Sequence, residues 1–425
     1  MTSRETPARP APPLRTNPEY VRWLTGDLLL DAGAAIGMFA FPLVTFAVTE
    51  SLAATGLIGL IQGLGQLVGL VPGGLLADRW DRRRLRLIGA GTGALLQAAL
   101  IAVLLTGWAS VAVLAVLAFA DRLRGALVGS ASTAMLKQIV PPEQLPRAFA
   151  VNEGRSAAVE MGSGPAGGAL FAVNIVLPAL AQLLGNLASF FATLTMRGDY
   201  RPRTPDAPAT RIRNDLTEAW RWAISQPIRL QVMALAMLVN LGLNGLVLAV
   251  LLHLADTGVP APQIGVLSTV LAASILLGAI AAPRLVDRVP TGVLTIAPLL
   301  LMAVLAAAIP LVPNIWWIGA IYAVMGLGLA PLNAASQGFF THITPKAMLG
   351  RIDSLMGLGA MGLMPLAPAI AGWGLDRLGP MPTMWIFAAI TALGAAIALL
   401  GPHLRSVPVA SHWVEHARDR GLTAD

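Results

Sequence analysis

Cysteine is absent from this chain of 425 residues, and only two of its 29 basic residues are lysine. Without cysteine there is no disulfide, no zinc thiolate and no thiol nucleophile. The sequence also lacks a phosphate-binding loop, which excludes ATP as the energy source, and it lacks the H-E-x-x-H and G-x-S-x-G spacings of hydrolases. We interpret its spaced histidine pair, His412 and His416, as a solvated helix face. We therefore expect no enzyme, no cofactor and no metal site.

Charge is scarce as well, since 12% of the residues are charged and 56% are hydrophobic, with a mean hydropathy of +0.70. A soluble globular protein carries about 25% charged residues. Apolar runs of about 20 residues, the length that crosses a bilayer as a helix, recur along the chain. Twelve can be placed, near residues 23–48, 53–77, 87–107, 109–136, 148–172, 175–196, 228–254, 263–283, 292–312, 315–341, 352–374 and 381–401. This pattern predicts an all-α membrane protein.

Positive charge is distributed unevenly between the two sides of these spans. With the N-terminus in the cytoplasm, 25 of the 29 Lys and Arg residues lie on the inner side, and only Arg377 lies outside. Because inner loops are enriched in Lys and Arg, we expect a multi-pass protein of the inner (plasma) membrane with both termini in the cytoplasm. The net charge of +7 then reflects membrane topology and gives no reason to expect a nucleic-acid partner.

An abrupt change from apolar to basic sequence occurs between Gly74 and Arg84, which reads G-L-L-A-D-R-W-D-R-R-R. Such a boundary is typical of a membrane face, and Gly74 is expected to let a second helix approach closely. The stretch resembles the loop between helices 2 and 3 of the major facilitator superfamily, whose pattern reads roughly G-x-L-A-D-R-x-G-R-R. Asp81 stands where the commonest form has glycine, as in the branch that holds macrolide efflux pumps and enterobactin exporters.

The resemblance implies a major-facilitator-type fold of twelve transmembrane helices in two six-helix bundles, covering residues from about 17 to 402. The expected division is a disordered cytoplasmic tail (1–18), an N-terminal bundle (19–197), a cytoplasmic linker with an amphipathic helix (198–227), a C-terminal bundle (228–402) and a cytoplasmic tail (403–425). Identities at an offset of 204 residues support two related halves. They pair Gly74 with Gly278, Pro141 with Pro345, Arg147 with Arg351, and Gly168 with Gly372.

The resemblance also implies a conformational latch on the cytoplasmic side. Its expected residues are Gly74, Asp78, Arg79, Arg82 and Arg83, which would contact the start of span 11 near Arg351. A carboxylate facing a helix N-terminus is stabilised by ~0.3–1 kcal/mol. We therefore expect Asp78 to favour one conformer of the transport cycle.

Charged residues inside the predicted spans are costly, by at least ~2.5–3.5 kcal/mol when unpaired. Those near mid-depth belong to the N-terminal half, whereas the spans of the second half have almost none at depth. The N-terminal set is Asp27, Asp31, Asp121, Arg122, Arg124, Glu153, Arg155 and Glu160. We interpret Asp31 and Glu160 as the first candidates for proton coupling, Asp27 and Asp121 as further candidates, and Arg122, Arg124 and Arg155 as their charge partners. One alternative stays open, namely that pairs such as Asp121 with Arg124, or Asp31 with Arg155, only hold helices together.

The second half offers neutral polar residues instead. Candidates for the wall of a substrate cavity are Asn240, Asn244, Asn333 and Gln337. In span 5, the glycine-rich stretch Gly162–Gly168 resembles the G-P-x-x-G-G signature of superfamily antiporters, with Gly164, Pro165 and Gly168 matching and Ala169 replacing the last glycine. Proline kinks a helix and small residues permit close packing, so the match favours export, with generic tight packing as the alternative.

These patterns predict a secondary active transporter that exports a hydrophobic or amphipathic drug, antibiotic or siderophore-like compound in exchange for protons. We expect its partners to be a small-molecule substrate, protons and the lipid bilayer, and we expect a monomer. Two alternatives stay open: a nutrient or metabolite importer of the same fold, and a membrane protein that handles lipid without proton coupling.

Overall fold

The computed structural model describes residues 13–201, 221, 226–344 and 349–420, and the side chains of all of these except 349–351. All twelve predicted spans are helical, and they form thirteen helices because the eleventh span is split. The helices are α1 (Pro18–Thr49), α2 (Leu52–Arg79), α3 (Arg82–Thr106), α4 (Val111–Ile139), α5 (Leu145–Val173), α6 (Leu177–Thr195), α7 (Pro227–Asp256), α8 (Ala261–Arg288), α9 (Thr291–Ala308), α10 (Ile315–Ile343), α11 (Leu349–Met361), α12 (Leu366–Arg377) and α13 (Pro380–Leu400). Two short helices, α14 (Pro402–Arg405) and α15 (Trp413–Asp419), follow.

Ten of the twelve spans are long and apolar enough to cross a membrane by length and composition. The other two are α4, which carries Asp121, Arg122 and Arg124, and α5, which carries Glu153 and Glu160 in a glycine-rich sequence. Both helices have 29 residues, so they are long enough to span the bilayer. Their charges, not their length, distinguish them from the rest.

Short polar side chains mark the first turns of several helices. Asn17 accepts hydrogen bonds from the backbone N–H groups of Glu19 and Tyr20 at the start of α1. Asp81 does the same for Arg83 at the start of α3, with an N–O distance of 2.9 Å. Such caps satisfy the free N–H groups of a first helical turn. Asp81, which departs from the commonest superfamily pattern, therefore caps the N-terminus of α3.

The described residues differ from the expectation in two places. The eleventh span breaks over residues 362–365, where backbone hydrogen bonds join residues three apart, because Pro365 cannot donate one and its ring disfavours a helical conformation just before it. The tail predicted to be disordered as far as residue 18 contains a 3-10 helix at Leu14–Thr16 with Leu14 buried. Apart from Arg221, the predicted amphipathic helix lies outside the described residues, as do residues 1–12.

The C-terminal tail does not present a solvated helix face at His416. In α15, the ring of His416 lies 6.3 Å from that of Phe339 in α10. Trp413 donates a hydrogen bond of 3.0 Å from Nε1 to the hydroxyl of Thr291 at the start of α9. The tail therefore packs against the C-terminal half, and the interpretation of His412 and His416 as one solvated face is wrong for His416.

The helices form two bundles, α1 to α6 and α7 to α13, that meet through two extensive helix pairs. In the first bundle α2 packs on α4, and α6 packs on α1 and α3; in the second α8 packs on α10, and α13 packs on α7 and α9. The pairs that join the bundles are α5 with α8 and α2 with α12. Both contacts lie at the end of the molecule remote from the N-terminus of α1.

Glycines allow the two inter-bundle contacts to be close. A Cβ atom on Gly164 would lie 2.5 Å from the backbone oxygen of Gly265, and one on Gly56 would lie 2.4 Å from that of Pro368. Gly168 and Gly372, paired by the sequence repeat, take equivalent places, since Gly168 faces Ala261 of α8 and Gly372 faces Leu52 and Gly56 of α2. The repeat in the sequence is therefore a repeat of contacts.

At the opposite end, the described residues of the two bundles are not packed closely together. Several glycines in the halves of α2, α4, α5 and α11 nearest that end have no neighbouring atom within 4 Å of an added Cβ: Gly74, Gly125, Gly129, Gly154 and Gly357. The expectation that Gly74 brings a second helix close is thus wrong in this conformer. Gly73 fills that role instead, because its Cβ position lies 2.2 Å from the backbone oxygen of Ala126 in α4.

Candidate transport site

A buried charge cluster joins α1 to α3 and α5. The two oxygens of Asp27 each bind one arginine, with Oδ1 at 2.8 Å from Nη1 of Arg86 and Oδ2 at 2.8 Å from Nη1 of Arg155. Only 9% of the Asp27 side chain is exposed, and the two arginines are exposed by 5% and 8%. Asp27 is therefore neutralised inside the bundle by two cations, and it is the shared centre of the cluster.

Asp31, one helical turn along α1, completes the cluster at its edge. Its Oδ2 lies 2.6 Å from Nη2 of Arg155, and 41% of its side chain is exposed. The four ionised groups Asp27, Asp31, Arg86 and Arg155 together carry no net charge. Arg155 thus links a carboxylate that water cannot reach to one that it can.

Neutral side chains from α1, α4 and α6 complete the shell of the cluster. Ser132 of α4 donates to Oδ1 of Asp27 and accepts from Trp23 Nε1 at 3.0 Å. The guanidinium of Arg155 lies 5.9 Å from the centre of the Trp23 ring, within cation–π range. Arg86 also donates to Thr193 and Ser189 of α6, both at 3.4 Å. The cluster therefore ties five of the six helices of the N-terminal bundle together.

A second charged group lies on α4. Arg124 binds Oδ1 of Asp121 with an Nη2–O distance of 2.9 Å and donates from Nη1 to the carbonyl of Gly89 at 2.9 Å. Gln182 of α6 donates to the other oxygen of Asp121 at 3.2 Å. Arg122 makes no hydrogen bond or ion pair with any residue in the described part of the chain, although the charge of its neighbour Asp121 attracts it. Direct pairing with a carboxylate is thus seen for Arg124 and Arg155.

Glu160 is not part of either cluster. Its side chain is exposed and makes no hydrogen bond or ion pair with the described residues, and the one bond at this residue is from the hydroxyl of Ser163 to its backbone oxygen at 2.9 Å. Glu153, seven residues earlier on α5, is exposed too. The two glutamates thus share an unpacked face of α5.

Among the residues expected to form the latch are Asp78, Arg82 and Arg83, whose contacts in this conformer can be described. Asp78 is exposed and has no partner among the described residues. Arg82 donates to the carbonyl of Ala77 at 3.2 Å, and Arg83 donates to the carbonyls of Thr193 and Leu194 at the end of α6. The side chain of Arg351 lies outside the described residues. These arginines therefore bind helix C-termini here.

The neutral candidates of the second bundle lie on α7 and α10. Asn240 donates to the carbonyl of Ala360 in α11 at 3.2 Å, and Asn244 donates to the carbonyl of Asn240 at 2.9 Å. Asn244, Asn333 and Gln337 are exposed. Asn240 thus helps to hold the broken eleventh span against α7.

Pro165 has a direct consequence for the contact between the bundles. Because proline lacks an N–H group, the carbonyl of Met161 has no helical partner. Thr269 of α8 donates its hydroxyl to that carbonyl at 2.7 Å. The motif of Gly164, Pro165 and Gly168 therefore supplies both the close approach and an acceptor for the opposite bundle.

Two members of the main cluster were not predicted from the sequence. Arg86 follows a run of loop arginines and was counted among them, although it lies in the second turn of α3 and is buried. Nothing in the sequence indicated that Ser132 belongs to the cluster, because serine is common in apolar helices. The one available hint was the position of Arg86 at the border of an apolar run.

Two helical bundles that meet at one end, with buried charges within the membrane-spanning helices, are the architecture of a membrane transporter. The sequence profile of the Major Facilitator Superfamily matches residues 26–255 and 232–421, so the chain belongs to this superfamily.

Comparisons with individual proteins agree with this family. The enterobactin exporter EntS of Citrobacter koseri is 26% identical over 387 residues, which cover 86% of this chain and 91% of the relative. A solved bacterial homologue of the iron transporter ferroportin in an inward-facing state matches with a TM-score of 0.70 at 17% identity, covering 92% of this chain and 99% of that one. A bacterial ferroportin homologue in an outward-facing state matches with a TM-score of 0.58 at 18% identity, covering 89% and 98%. The likeness to these structures is one of fold.

Proposed function

We propose that the protein is a proton-coupled exporter, which moves a hydrophobic or amphipathic compound out of the cytoplasm in exchange for protons by alternating access. Its similarity to the enterobactin exporter supports export over import. The antiporter-like motif of α5 supports the same direction. Antibiotics and siderophore-like compounds are the substrate classes with which we would begin.

The observation that carries the proposal is the sharing of Arg155 between a buried and a half-exposed carboxylate. Both oxygens of Asp27 are occupied, whereas Asp31 binds Arg155 through one oxygen and has 41% of its side chain exposed. Protons from the open space between the bundles therefore reach Asp31 before Asp27. This makes Asp31 the first coupling residue in the proposal, with Glu160, on the same helix as Arg155, as the second.

Protonation of Asp31 would change the charge balance of the cluster. Arg86, Arg155 and Asp27 would then carry one net positive charge, whereas the ionised cluster carries none. An uncompensated charge inside the membrane costs ~2.5–3.5 kcal/mol or more. That cost is large enough to shift an equilibrium between two conformers by about a hundredfold, which is how proton uptake would drive the change of access.

The orientation of the protein in the membrane follows from the distribution of its Lys and Arg residues. With both termini in the cytoplasm, the open end faces the cytoplasm and the contacts between α5 and α8, and between α2 and α12, close the outer side. The higher TM-score to the inward-facing structure supports this assignment. Asp78 would then find its partner at the start of α11 only after the bundles rock to the outward-open conformer, which accounts for its exposed position here.

The test is transport by purified protein in proteoliposomes, with a substrate found by a drug and siderophore panel on cells with and without the gene. Asp31→Asn is expected to abolish export driven by a pH gradient while downhill equilibration continues, because binding does not require the proton. Asp376→Asn is the matched control, since Asp376 is 40% exposed and also lies beside an arginine. Gradient-driven export at the wild-type rate in both Asp31→Asn and Glu160→Gln would contradict the coupling role. Uphill accumulation in the opposite direction would show an importer.

A further inference from the structure

A cavity of about 260 Å³ lies inside the N-terminal bundle, apart from the Asp27 cluster. It is lined by α1, α2, α3, α4 and α6. Four glutamines contribute to its wall: Gln62, Gln66, Gln97 and Gln182. Apolar side chains line the remainder, among them Met38, Phe41, Leu96, Leu100 and Leu117. The wall therefore combines many amide groups with a large apolar surface.

Three charged residues line this cavity, and two of them neutralise each other. Oδ1 of Asp121 accepts from Nε and Nη2 of Arg124, and its Oδ2 accepts from Gln182. The remaining Nη1 of Arg124 donates to the carbonyl of Gly89. Asp31, one helical turn from the cavity residue Ala34, is bound to Arg155. Asp121 also attracts the third charge, but both of its oxygens already accept hydrogen bonds from Arg124 and Gln182.

That third charge is Arg122, which lines the cavity without a hydrogen bond or ion pair to any described residue. The ionised wall therefore carries one net positive charge. A guanidinium offers five N–H donors in a planar fork that matches a carboxylate. Buried Gln97 also has an Oε1 atom without a partner in the described chain, so the site contains further unused hydrogen-bonding capacity.

We propose that this cavity binds an organic carboxylate, with Arg122 on the carboxylate and the apolar wall on the hydrocarbon part. The cavity is smaller than the ~300–1,000 Å³ of sites for drug-sized ligands. It therefore holds a small acid or the acidic end of a larger compound. The inference rests on the proposed function, because it makes amphipathic acids the preferred exported class.

The test is binding of radiolabelled benzoate to the purified full-length protein, measured by equilibrium dialysis, with benzamide as the neutral molecule of the same shape. Arg122→Gln removes the charge at similar length and is expected to weaken benzoate binding by about tenfold or more, the usual effect of losing a charge-assisted hydrogen bond. Arg122→Lys is expected to retain most of the binding, since a cation remains. Arg377→Gln, at an exposed arginine of the other bundle, is the control and is expected to leave binding unchanged.

Equal binding of benzoate and benzamide to the wild type, unchanged benzoate binding in Arg122→Gln, or no benzoate binding at all would each overturn the proposal. Binding of chloride without benzoate would show an inorganic-anion site and would overturn it too. All variants are compared as monodisperse protein with wild-type thermal midpoints. If Arg122→Gln does not fold, the proposal is tested by the difference between benzoate and benzamide binding in Arg122→Lys, and equal binding of the two would overturn it. Equilibrium dialysis measures binding without a pH gradient. Arg122-dependent binding of benzoate can therefore persist when proton-driven export fails, so the binding proposal and the proposed function can be contradicted independently.

Discussion

Asp27 and Asp31 lie one turn apart on α1, yet their surroundings differ sharply. Asp27 is enclosed by Arg86, Arg155 and Ser132, whereas Asp31 touches one arginine and is half-exposed. A buried carboxylate that compensates two cations is a structural necessity, because its removal leaves both charges in a medium of low dielectric. A half-exposed carboxylate with one partner is free to change its protonation state. The same residue type therefore has two roles.

This difference leads to a stability prediction. Asp27→Asn is expected to destabilise the protein by about 3–5 kcal/mol, the usual cost of breaking a buried ion pair from one side. Asp31→Asn is expected to cost less, because water can solvate the part of Arg155 that it uncovers. The measurement is the thermal midpoint of detergent-purified protein by size-exclusion chromatography. Equal midpoints for the two variants would show that Asp27 is not the structural centre of the cluster.

Among the helices, α2 and its following loop are arranged for a change of partner. Asp78 at the end of α2 is exposed, while Arg82 and Arg83 bind the C-terminal carbonyls of α2 and α6. Cations at helix C-termini are stabilising, and a carboxylate is stabilising at a helix N-terminus. Arg82 and Arg83 are therefore already bound in this conformer, and in the latch hypothesis Asp78 is the residue that gains a contact in the outward-open conformer.

If Asp78 forms the proposed latch contact in the outward-open conformer, Asp78→Asn is expected to leave insertion and abundance near normal while removing most transport, because the substitution removes that contact. Asp287→Asn, in the second copy of the motif, is the matched control and is expected to have a much smaller effect. Transport and membrane abundance are measured in the same cells. The latch hypothesis fails if Asp78→Asn transports at the wild-type rate, or if its loss of transport follows a loss of protein.

The tail helix α15 is expected to respond to acid. Burial against α10 and the nearby Arg420 lower the pKa of His416, with Asp419 opposing them. A lowered pKa means that the fold favours the neutral ring, so the contact is fully present above the ordinary histidine pKa of about 6.5 and is lost as the pH falls through the lower value.

We therefore expect hydrogen exchange in residues 413–419 to accelerate at acid pH, and the fluorescence of Trp413 to change with it. His416→Phe cannot be protonated and is expected to remove this dependence while keeping the tail in place. An identical acid response in wild type and His416→Phe would assign the change to another group.

At the scale of the whole molecule, closure at one end and opening at the other follow from where small residues lie. The contacts of Gly164 with Gly265 and of Gly56 with Gly372 leave no room for side chains. The bond from Thr269 to Met161 exists only while α5 and α8 touch. The bundles can therefore separate here without breaking either bundle core, as alternating access requires.

The absence of cysteine makes the topology directly testable. Single cysteines at Gly107 and Pro313 are expected to react with a membrane-impermeant maleimide added to intact cells, because these loops lie opposite the basic ones. Cysteines at Arg84, Pro208 and Pro345 are expected to react only after the cells are opened. Protection of both Gly107 and Pro313 in intact cells would contradict the twelve-span orientation.

Hydropathy and charge are local properties of a sequence, and they were sufficient for the twelve helices. They also located most of the charged residues deep within the spans, because such residues stand out in apolar segments, although Arg86 was counted with the loop arginines. The superfamily was indicated by the resemblance of the motif that begins at Gly74. Even the repeat that pairs Gly168 with Gly372 was visible before the contacts were known.

The partners of Asp27 were decided only by the tertiary structure, whereas the pairs of Asp31 with Arg155 and of Asp121 with Arg124 were already open as alternatives from the sequence. Arg86 is 59 residues from Asp27 in sequence and Arg155 is 128 residues from it, so no spacing rule could pair them. Asp121 stands next to Arg122 in the sequence, but it forms its ion pair with Arg124. Ion pairing depends on which faces of distant helices meet, and packing determines those faces.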